Sequence, residues 1–261
     1  MPFNTKVEII EKEKINDTVY RFACKTPEIA QAATAGQFIN VEVFDISTAP
    51  FLKRPISIYN IDRDKNIIEF IFQIRGQGTK IIADKKAGES LCVLGPLGAG
   101  FTTSKFKNIA IVGGGIGIFP LYGLAKESIK TGQVTTYLGF RDKSLVILEN
   151  EFKKVSNSLV ITTDNGTYGQ KGCGIDCLLK DLASKKFDAV FACGPLPMLR
   201  AVKKAAKDNN IYCEVSLEER MGCAIGACMG CSVQLETDSG EVKYARVCKD
   251  GPVFNANSVI I

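Results

Sequence analysis

The character of this 261-residue chain changes near Lys105, and that change limits the folds open to it. Before it, KVEIIE, TVYRFAC, FINVEVF, PISIYN, IIEFIFQI and SLCVLGP show partial period-two alternation with β-branched and aromatic enrichment. Gly, Pro, Asp and Asn cluster between these runs. Six short strands with such turns predict a closed antiparallel barrel. After it, apolar strands and helical segments alternate: NIAIVGGG, FPLYGLAKESIK, VTTYLGF, LVILENEFKK, LVITTD, CLLKDLASKK, FDAVFACG, LRAVKKAAKD and YCEVSLE. Strict β-α alternation predicts a doubly wound parallel sheet with helices on both faces. From about Glu219 the chain is rich in cysteine and glycine. SVQLE and VKYARV, around Asp238-Ser239-Gly240, predict a hairpin. The expected fold class is therefore β plus α/β. Its expected parts are an antiparallel six-stranded barrel at 1–103, a parallel-sheet domain at 104–216 and a small C-terminal domain at 217–261.

Cys223, Cys228, Cys231 and Cys248 have the spacing C-x4-C-x2-C-x16-C. Four thiolates can hold one [2Fe–2S] cluster, and this order is the plant-type ferredoxin pattern. Structural zinc and free thiols are the alternatives, but zinc sites usually repeat C-x2-4-C pairs at a distance. Here three cysteines crowd together and one stands alone. Gly222, Ala224, Gly226, Ala227 and Gly230 leave room for backbone N–H groups to approach sulfur. A cluster moves single electrons, so the chain is expected to handle electrons.

Composition narrows the chemistry. The net charge of +5 is mild and the lysines are scattered, which gives nucleic-acid binding little support. No apolar run reaches the roughly 18 residues a membrane span needs. MPFNTKVEII lacks the apolar core of a signal peptide. Together with ten cysteines, this makes a reducing cytoplasm the expected location. Cys24, Cys92 and Cys213 fall in strand-like segments and are expected as small core residues. Cys173 and Cys177 form C-x3-C, but no second pair accompanies them, which argues against a redox pair or metal half-site. Histidine is absent, which excludes every mechanism needing a histidine base. A cofactor must carry any chemistry.

Four segments can cradle such cofactors. IVGGGIGIFP sets Gly113, Gly114, Gly115 and Gly117 after a strand, with Pro120 opening a helix. Glycines there let a pyrophosphate approach backbone N–H groups at the positive helix end. CGPLPM places Cys193, Gly194 and Pro195 at the end of the fourth strand, where doubly wound sheets bind ligands. In KRPISIY, Arg54 suits a phosphate, and Ser57 or a backbone amide can bond a flavin edge. RGQGTK, with Gly76, Gly78 and Thr79, can form a second phosphate cradle; an ordinary glycine turn is the alternative.

RPIS, GQGT, GGGIGIFP and CGP occur in an order that resembles the ferredoxin–NADP reductase superfamily. That resemblance covers essentially the whole chain. The terminal cysteines, KRPISI and the TDNG run at 163–166 make it similar to the electron-transfer subunits of type 1B dihydroorotate dehydrogenases. The resemblance implies that Arg54, Pro55, Ile56 and Ser57 line FAD, with the strand backbone at Ile71, Phe72 and Gln73 facing the flavin. It implies that Gly78 and Thr79 hold the FAD pyrophosphate, and that Gly113, Gly114, Gly115 and Gly117 receive NAD+. Cys193, Gly194 and Pro195 would complete that site, with Cys193 near the nicotinamide. Cys223, Cys228, Cys231 and Cys248 would bind the [2Fe–2S] cluster. No side chain would act as a catalytic acid or base. In Gly139-Phe140-Arg141, Phe140 cannot donate to a 2′-phosphate, which favours NAD, while Arg141 keeps NADP open. The implied partner is an FMN-containing dihydroorotate dehydrogenase catalytic subunit, two of each subunit, in pyrimidine biosynthesis. Met221, Ile225 and Met229 would contact that partner or shield the cluster. Similar subunits serve ferredoxin transhydrogenases, sulfide dehydrogenases and glutamate synthases. A zinc-containing binding module is the reading from another class.

Overall fold

The computed structural model describes residues 1–43, 49–103, 105–237 and 239–261. Phe44 at the end of an expected strand, the boundary residue Ser104 and the turn residue Asp238 lie outside the described residues. The chain divides into two compact units. One comprises Met1–Gly100, Glu218–Ser232 and Arg246–Pro252; the other comprises Phe101–Leu217, Val233–Ala245 and Val253–Ile261.

The first unit contains β1 (Phe3–Lys14), β2 (Val19–Lys25), α1 (Pro27–Ala32), β3 (Phe38–Val41), β4 (Arg54–Asp62), β5 (Ile67–Gln73), α2 (Gln77–Asp84) and β6 (Ser90–Leu97). Its six strands close into a barrel in the order β1-β2-β5-β4-β3-β6, with every neighbouring pair antiparallel. Closure leaves no sheet edge. Alternate residues fill the interior: Ile39 and Val41, Ile56 and Ile58, Ile68, Phe70 and Phe72. Phe22, Phe70 and Phe72 pack there, with ring centroids 5.4–6.2 Å apart. Tyr59 and Ile71, on the opposite parity, are buried as well. That two-sided burial is why the alternation in the sequence is only partial.

The second unit contains β7 (Asn108–Gly114), α3 (Phe119–Ser128), β8 (Gln133–Phe140), α4 (Glu149–Lys154), β9 (Ser158–Thr163), β10 (Gln170–Lys171), α5 (Gly174–Leu182), β11 (Ala189–Cys193), α6 (Leu196–Asp208) and β12 (Tyr212–Ser216). After these come β13 (Ser232–Glu236) and β14 (Val242–Arg246), whose terminal Ser232 and Arg246 belong to the first unit, and β15 (Val253–Asn255). Its sheet runs β10-β9-β8-β7-β11-β12-β15 and is parallel as far as β12. β15 returns antiparallel on β12 and caps that edge. β13 and β14 form the expected two-stranded sheet. From β7 the chain builds outward one way to β9 and then the other way through β11 and β12. The strand order therefore reverses between β7 and β11. Tyr137 anchors α5: it is fully buried on β8, and its hydroxyl donates to Asp181 at 2.5 Å.

Three local expectations change. The helix expected at 145–154 shortens to α4 (Glu149–Lys154), because Leu148 takes a left-handed conformation (φ 60°) that no α-helix continues through. RGQGTK enters a helix rather than a glycine turn: Gly76 is the N-cap and α2 follows. Cys24 and Cys213 are buried, but Cys92 is exposed. Leu91 and Val93 take the interior positions of β6, so Cys92 points outward.

Candidate functional site

The first candidate site lies at one end of the barrel. Arg54 opens β4, and its guanidinium crosses directly over Gly78 in α2. A Cβ built on Gly78 would stand 2.6 Å from Arg54 Cζ, so only glycine admits this arginine. The guanidinium Nη1 donates to the Leu52 carbonyl. The segments RPIS and GQGT, distant in sequence, are thus in direct contact. Thr79 caps α2: its hydroxyl accepts from Arg75 N–H at 2.9 Å and Gly76 N–H at 3.3 Å. The start of this eight-residue helix gives a positive end beside the Arg54 cation, a setting for phosphate oxygens.

The β4–β5 ladder runs from Asp62↔Ile67 to Ile58↔Phe70 and stops. Pro55, Ile56 and Ser57 on β4, and Ile71, Phe72 and Gln73 on β5, lie past its last pair. Ile56 and Phe72 turn their side chains into the barrel core, so only their backbones are available outside it. Gln73 Nε2 donates to Thr18 Oγ1 at 3.2 Å. Its Oε1 is buried with no partner among the described residues, and a buried acceptor left unmade is costly. An orphaned amide oxygen, strand backbone that pairs with β3 or β2 but has no β4–β5 register partner, and a cation over a helix start together fit a flavin with its pyrophosphate.

The second site lies in the parallel sheet. Gly113 and Cys193 are register partners at the C-terminal ends of β7 and β11, where the strand order reverses. A Cβ on Gly117 would fall 2.6 Å from the Cys193 carbonyl oxygen, and one on Gly114 2.8 Å from Pro195 Cδ. GGGIG and CGP therefore pack backbone to backbone. Gly115 has a positive φ (56°) and open space where a side chain would stand. A single 3-10 turn, Gly115–Ile118, precedes α3, and Pro120 sits in the first turn of α3. At the end of β8, Phe140 is buried, and Asp142 accepts from Ser144 N–H at 2.8 Å. The Ser144 contacts hold the Asp142 carboxyl below the usual carboxylate range.

The cysteines come from two segments, both in the compact unit that contains the barrel. Cys223 Sγ accepts from Ala227 N–H at 3.3 Å and Cys228 N–H at 3.4 Å. Cys231 Sγ accepts from Cys248 N–H at 3.4 Å. A Cβ on Gly222 or Gly230 would lie 3.3 or 3.5 Å from Cys228 Sγ. Ala224, Gly226 and Met229 all take positive φ, which winds the loop around its sulfurs. Partial burial raises the Cys223 thiol pKa, but the backbone N–H groups, Cys228 first, outweigh it and bring the value down to about 6. Burial and the neighbouring Cys231 push Cys248 up to about 12. Thiols crowded like this ionise together only when a positive centre compensates them. Among the described residues no three His, Cys, Asp or Glu side chains converge tightly enough for a single ion. The amide-to-sulfur contacts fit an iron–sulfur cluster, whose sulfurs take such bonds. Ile225 and Met229 are exposed beside the cysteines, and Met221 is half-buried. Cys173 caps α5 while Cys177 lies buried in it.

Comparison with known proteins decides the family. Residues 218–260 match the iron–sulfur cluster binding domain of dihydroorotate dehydrogenase B, and residues 111–204 match the oxidoreductase NAD-binding domain. The chain is 40% identical over 257 residues to the dihydroorotate dehydrogenase B (NAD+) electron transfer subunit of Bacillus pumilus, covering 97% of this chain and 96% of that one. It belongs to the family of dihydroorotate dehydrogenase B electron transfer subunits. The Bacillus mycoides member is also 40% identical, with 97% of each chain covered. Among solved structures, the NADH-dependent reduced ferredoxin–NADP oxidoreductase, studied for flavin-based electron bifurcation, aligns with a TM-score of 0.84. It is 28% identical, and 97% of this chain and 89% of that one are covered. A ferredoxin NADP+ reductase from Neisseria gonorrhoeae with bound FAD and NADP shares the fold at a TM-score of 0.65 and 19% identity, over 80% of this chain and 92% of that one. The two family models span the cysteine loops and both glycine segments of the sheet. Arg246, beside Cys248, was not among the residues the sequence pointed to. Its signal there was only an acidic residue, Asp250, four positions on.

Proposed function

We propose that this chain passes electrons from the FMN of a dihydroorotate-oxidising partner subunit to NAD+. The net reaction is dihydroorotate plus NAD+ giving orotate, NADH and a proton, a step in pyrimidine synthesis. The observation that carries this reading is the gathering of Cys223, Cys228, Cys231 and Cys248, from two segments, in the compact unit of the barrel bearing Arg54 and Gly78.

Bound there, the cluster would carry single electrons and FAD would pair them into a hydride for NAD+. The residues of the chain bind and orient. Arg54 neutralises phosphate charge, and the start of α2 at Gly78 and Thr79 supplies N–H donors. The strand backbone at Pro55, Ile56, Ser57, Ile71, Phe72 and Gln73, past the last β4–β5 pair, meets the flavin edge. Gly113, Gly114, Gly115 and Gly117, with Cys193, Gly194 and Pro195, admit NAD+ to the reversal point of the sheet. Phe140 offers no donor to a 2′-phosphate, which supports NAD over NADP. In this assignment residues 1–103 bind FAD, 104–216 bind NAD+ and 217–261 hold the cluster. Exposed Ile225 and Met229 meet the partner, two copies of each subunit assemble, and the complex works in the cytoplasm. No helix among the described residues is long and apolar enough to cross a membrane.

Co-purification with an FMN-binding dehydrogenase subunit, assayed with dihydroorotate and NAD+, tests the proposal. The expected complex is brown, contains flavin, iron and acid-labile sulfide, and forms NADH. A colourless protein would overturn it. A second reading replaces the partner with a larger flavoprotein, as in ferredoxin transhydrogenases or sulfide dehydrogenases. The observation favouring it is the 0.84 TM-score to the ferredoxin–NADP oxidoreductase. NADPH-dependent ferredoxin turnover in the native complex, without dihydroorotate activity, would select it.

A further inference from the structure

Arg246 ends β14 two residues before Cys248. Its Nη1 reaches across to donate to the Gly226 carbonyl at 2.8 Å, inside the loop between Cys223 and Cys228. Its Nε and Nη2 donate to Asp250 at 3.0 and 3.3 Å, and its backbone N–H donates to the same carboxylate at 2.8 Å. The next two residues bind the other cysteine of the first segment. Val247 N–H donates to the Cys231 carbonyl at 3.0 Å, and Cys248 N–H to Cys231 Sγ at 3.4 Å. Lys249 closes the contact: a Cβ on Gly226 would fall 2.6 Å from its Cδ. Three consecutive residues, 246–248, therefore tie both halves of the first cysteine segment to the fourth cysteine. Arg246 supplies a link to the Cys223–Cys228 loop in which a charged group itself makes the hydrogen bond.

We propose that Arg246 is a positioning residue for the iron–sulfur cluster, clamping the Cys223–Cys228 loop to the Cys248 turn and favouring the reduced cluster with its positive charge. The proposal rests on the four cysteines being the cluster ligands. Reduction adds one negative charge, and a cation held nearby stabilises it more than it stabilises the oxidised form. Asp250 sits on the far side of the guanidinium fork, so the pair presents its positive end to the loop. A lysine keeps the charge but cannot bond Gly226 and Asp250 together as a planar fork does.

The test uses the full chain purified anaerobically with its cofactors, comparing Arg246→Gln, Arg246→Lys and Asp250→Asn with the unmodified protein. Two quantities are read: the rate at which excess chelator bleaches the cluster, and its midpoint potential by EPR-monitored titration. Arg246→Gln is expected to bleach about tenfold faster, the effect of losing one charged hydrogen bond, and to show a lower potential. Arg246→Lys is expected to bleach faster at a nearly unchanged potential. Asp250→Asn, which leaves the cation uncompensated, is expected to raise the potential. Flavin content should stay constant throughout. Unchanged bleaching and potential in Arg246→Gln would overturn the proposal. So would potentials that move in the same direction in all three variants, since a merely loosened loop predicts that. Should Arg246→Gln fail to accumulate, Arg246→Lys and Asp250→Asn still decide it: faster bleaching at an unchanged potential in the first with a raised potential in the second supports the proposal, and any other pattern overturns it. Absence of iron and sulfide from the unmodified protein would instead remove the cluster assignment itself.

Discussion

The Arg54 guanidinium occupies the space where a side chain on Gly78 would begin, with Arg54 Cζ 2.6 Å from that point. Gly78→Ala should therefore push the arginine off the start of α2. Flavin is expected to dissociate at least about tenfold more readily, since a charged contact to phosphate contributes about 1.5–3 kcal/mol. Arg54→Ala should do the same without a clash. Equal flavin occupancy after dialysis in both variants would remove this contact from the FAD site.

Gly117 meets a different neighbour. The obstacle is backbone, the Cys193 carbonyl oxygen at 2.6 Å and Gly194 Cα at 2.7 Å, which cannot rotate aside. Gly117→Ala is expected to spread β7 from β11 at the strand-order reversal and to cost about 1–3 kcal/mol of stability. NAD+ binding, measured by calorimetry, should weaken while flavin content stays the same. Undiminished NAD+ affinity would count against the reversal point as the nucleotide site.

Cys228→Ser should leave a protein that keeps FAD but loses iron and sulfide. The oxygen ligand is harder and less easily ionised than the thiolate it replaces. Dihydroorotate-to-NAD+ electron flow in the complex should stop, while reduction of artificial acceptors by NADH at the flavin continues. Full dihydroorotate-linked activity in a cluster-free variant would contradict the route.

Tyr137→Phe removes the hydroxyl that bonds Asp181. Partial burial raises the Asp181 pKa, but Tyr137 and Lys185 outweigh it, and the carboxyl sits below its usual value of 3.8. A folded pKa that is depressed gives stability that is fully present above the unfolded value and disappears as pH falls through the folded one. The variant is thus expected to lose about 1 kcal/mol at neutral pH. The gap between the two melting temperatures should narrow as pH drops below 3.8. A gap independent of pH would show that Tyr137 acts through packing alone.

Much of this architecture was legible in the residues themselves. Six barrel strands announced themselves through β-branched alternation, and the parallel sheet through apolar runs too short for helices. The four cysteines were legible because their chemistry depends on side-chain identity and spacing. α2 was not, because two glycines in GQGTK read as a turn, and the helix depends on the Thr79 cap. The true start of α4 depends on one backbone angle at Leu148, which no propensity reveals. Cys92 looked like core because parity within a strand is invisible until its partner strands are known. Arg246 was missed because its reach to Gly226 spans twenty positions of sequence.

β15 completes the parallel sheet by pairing with β12, yet it is translated after all four cysteines. The sheet therefore cannot finish assembling until all four cysteines have been translated. Chain that is cut after Cys248 leaves the β12 edge bare, an open template for pairing with other molecules. The last of the four cysteines and the strand that covers the sheet edge thus stand side by side in sequence, so a single break between them separates the one from the other.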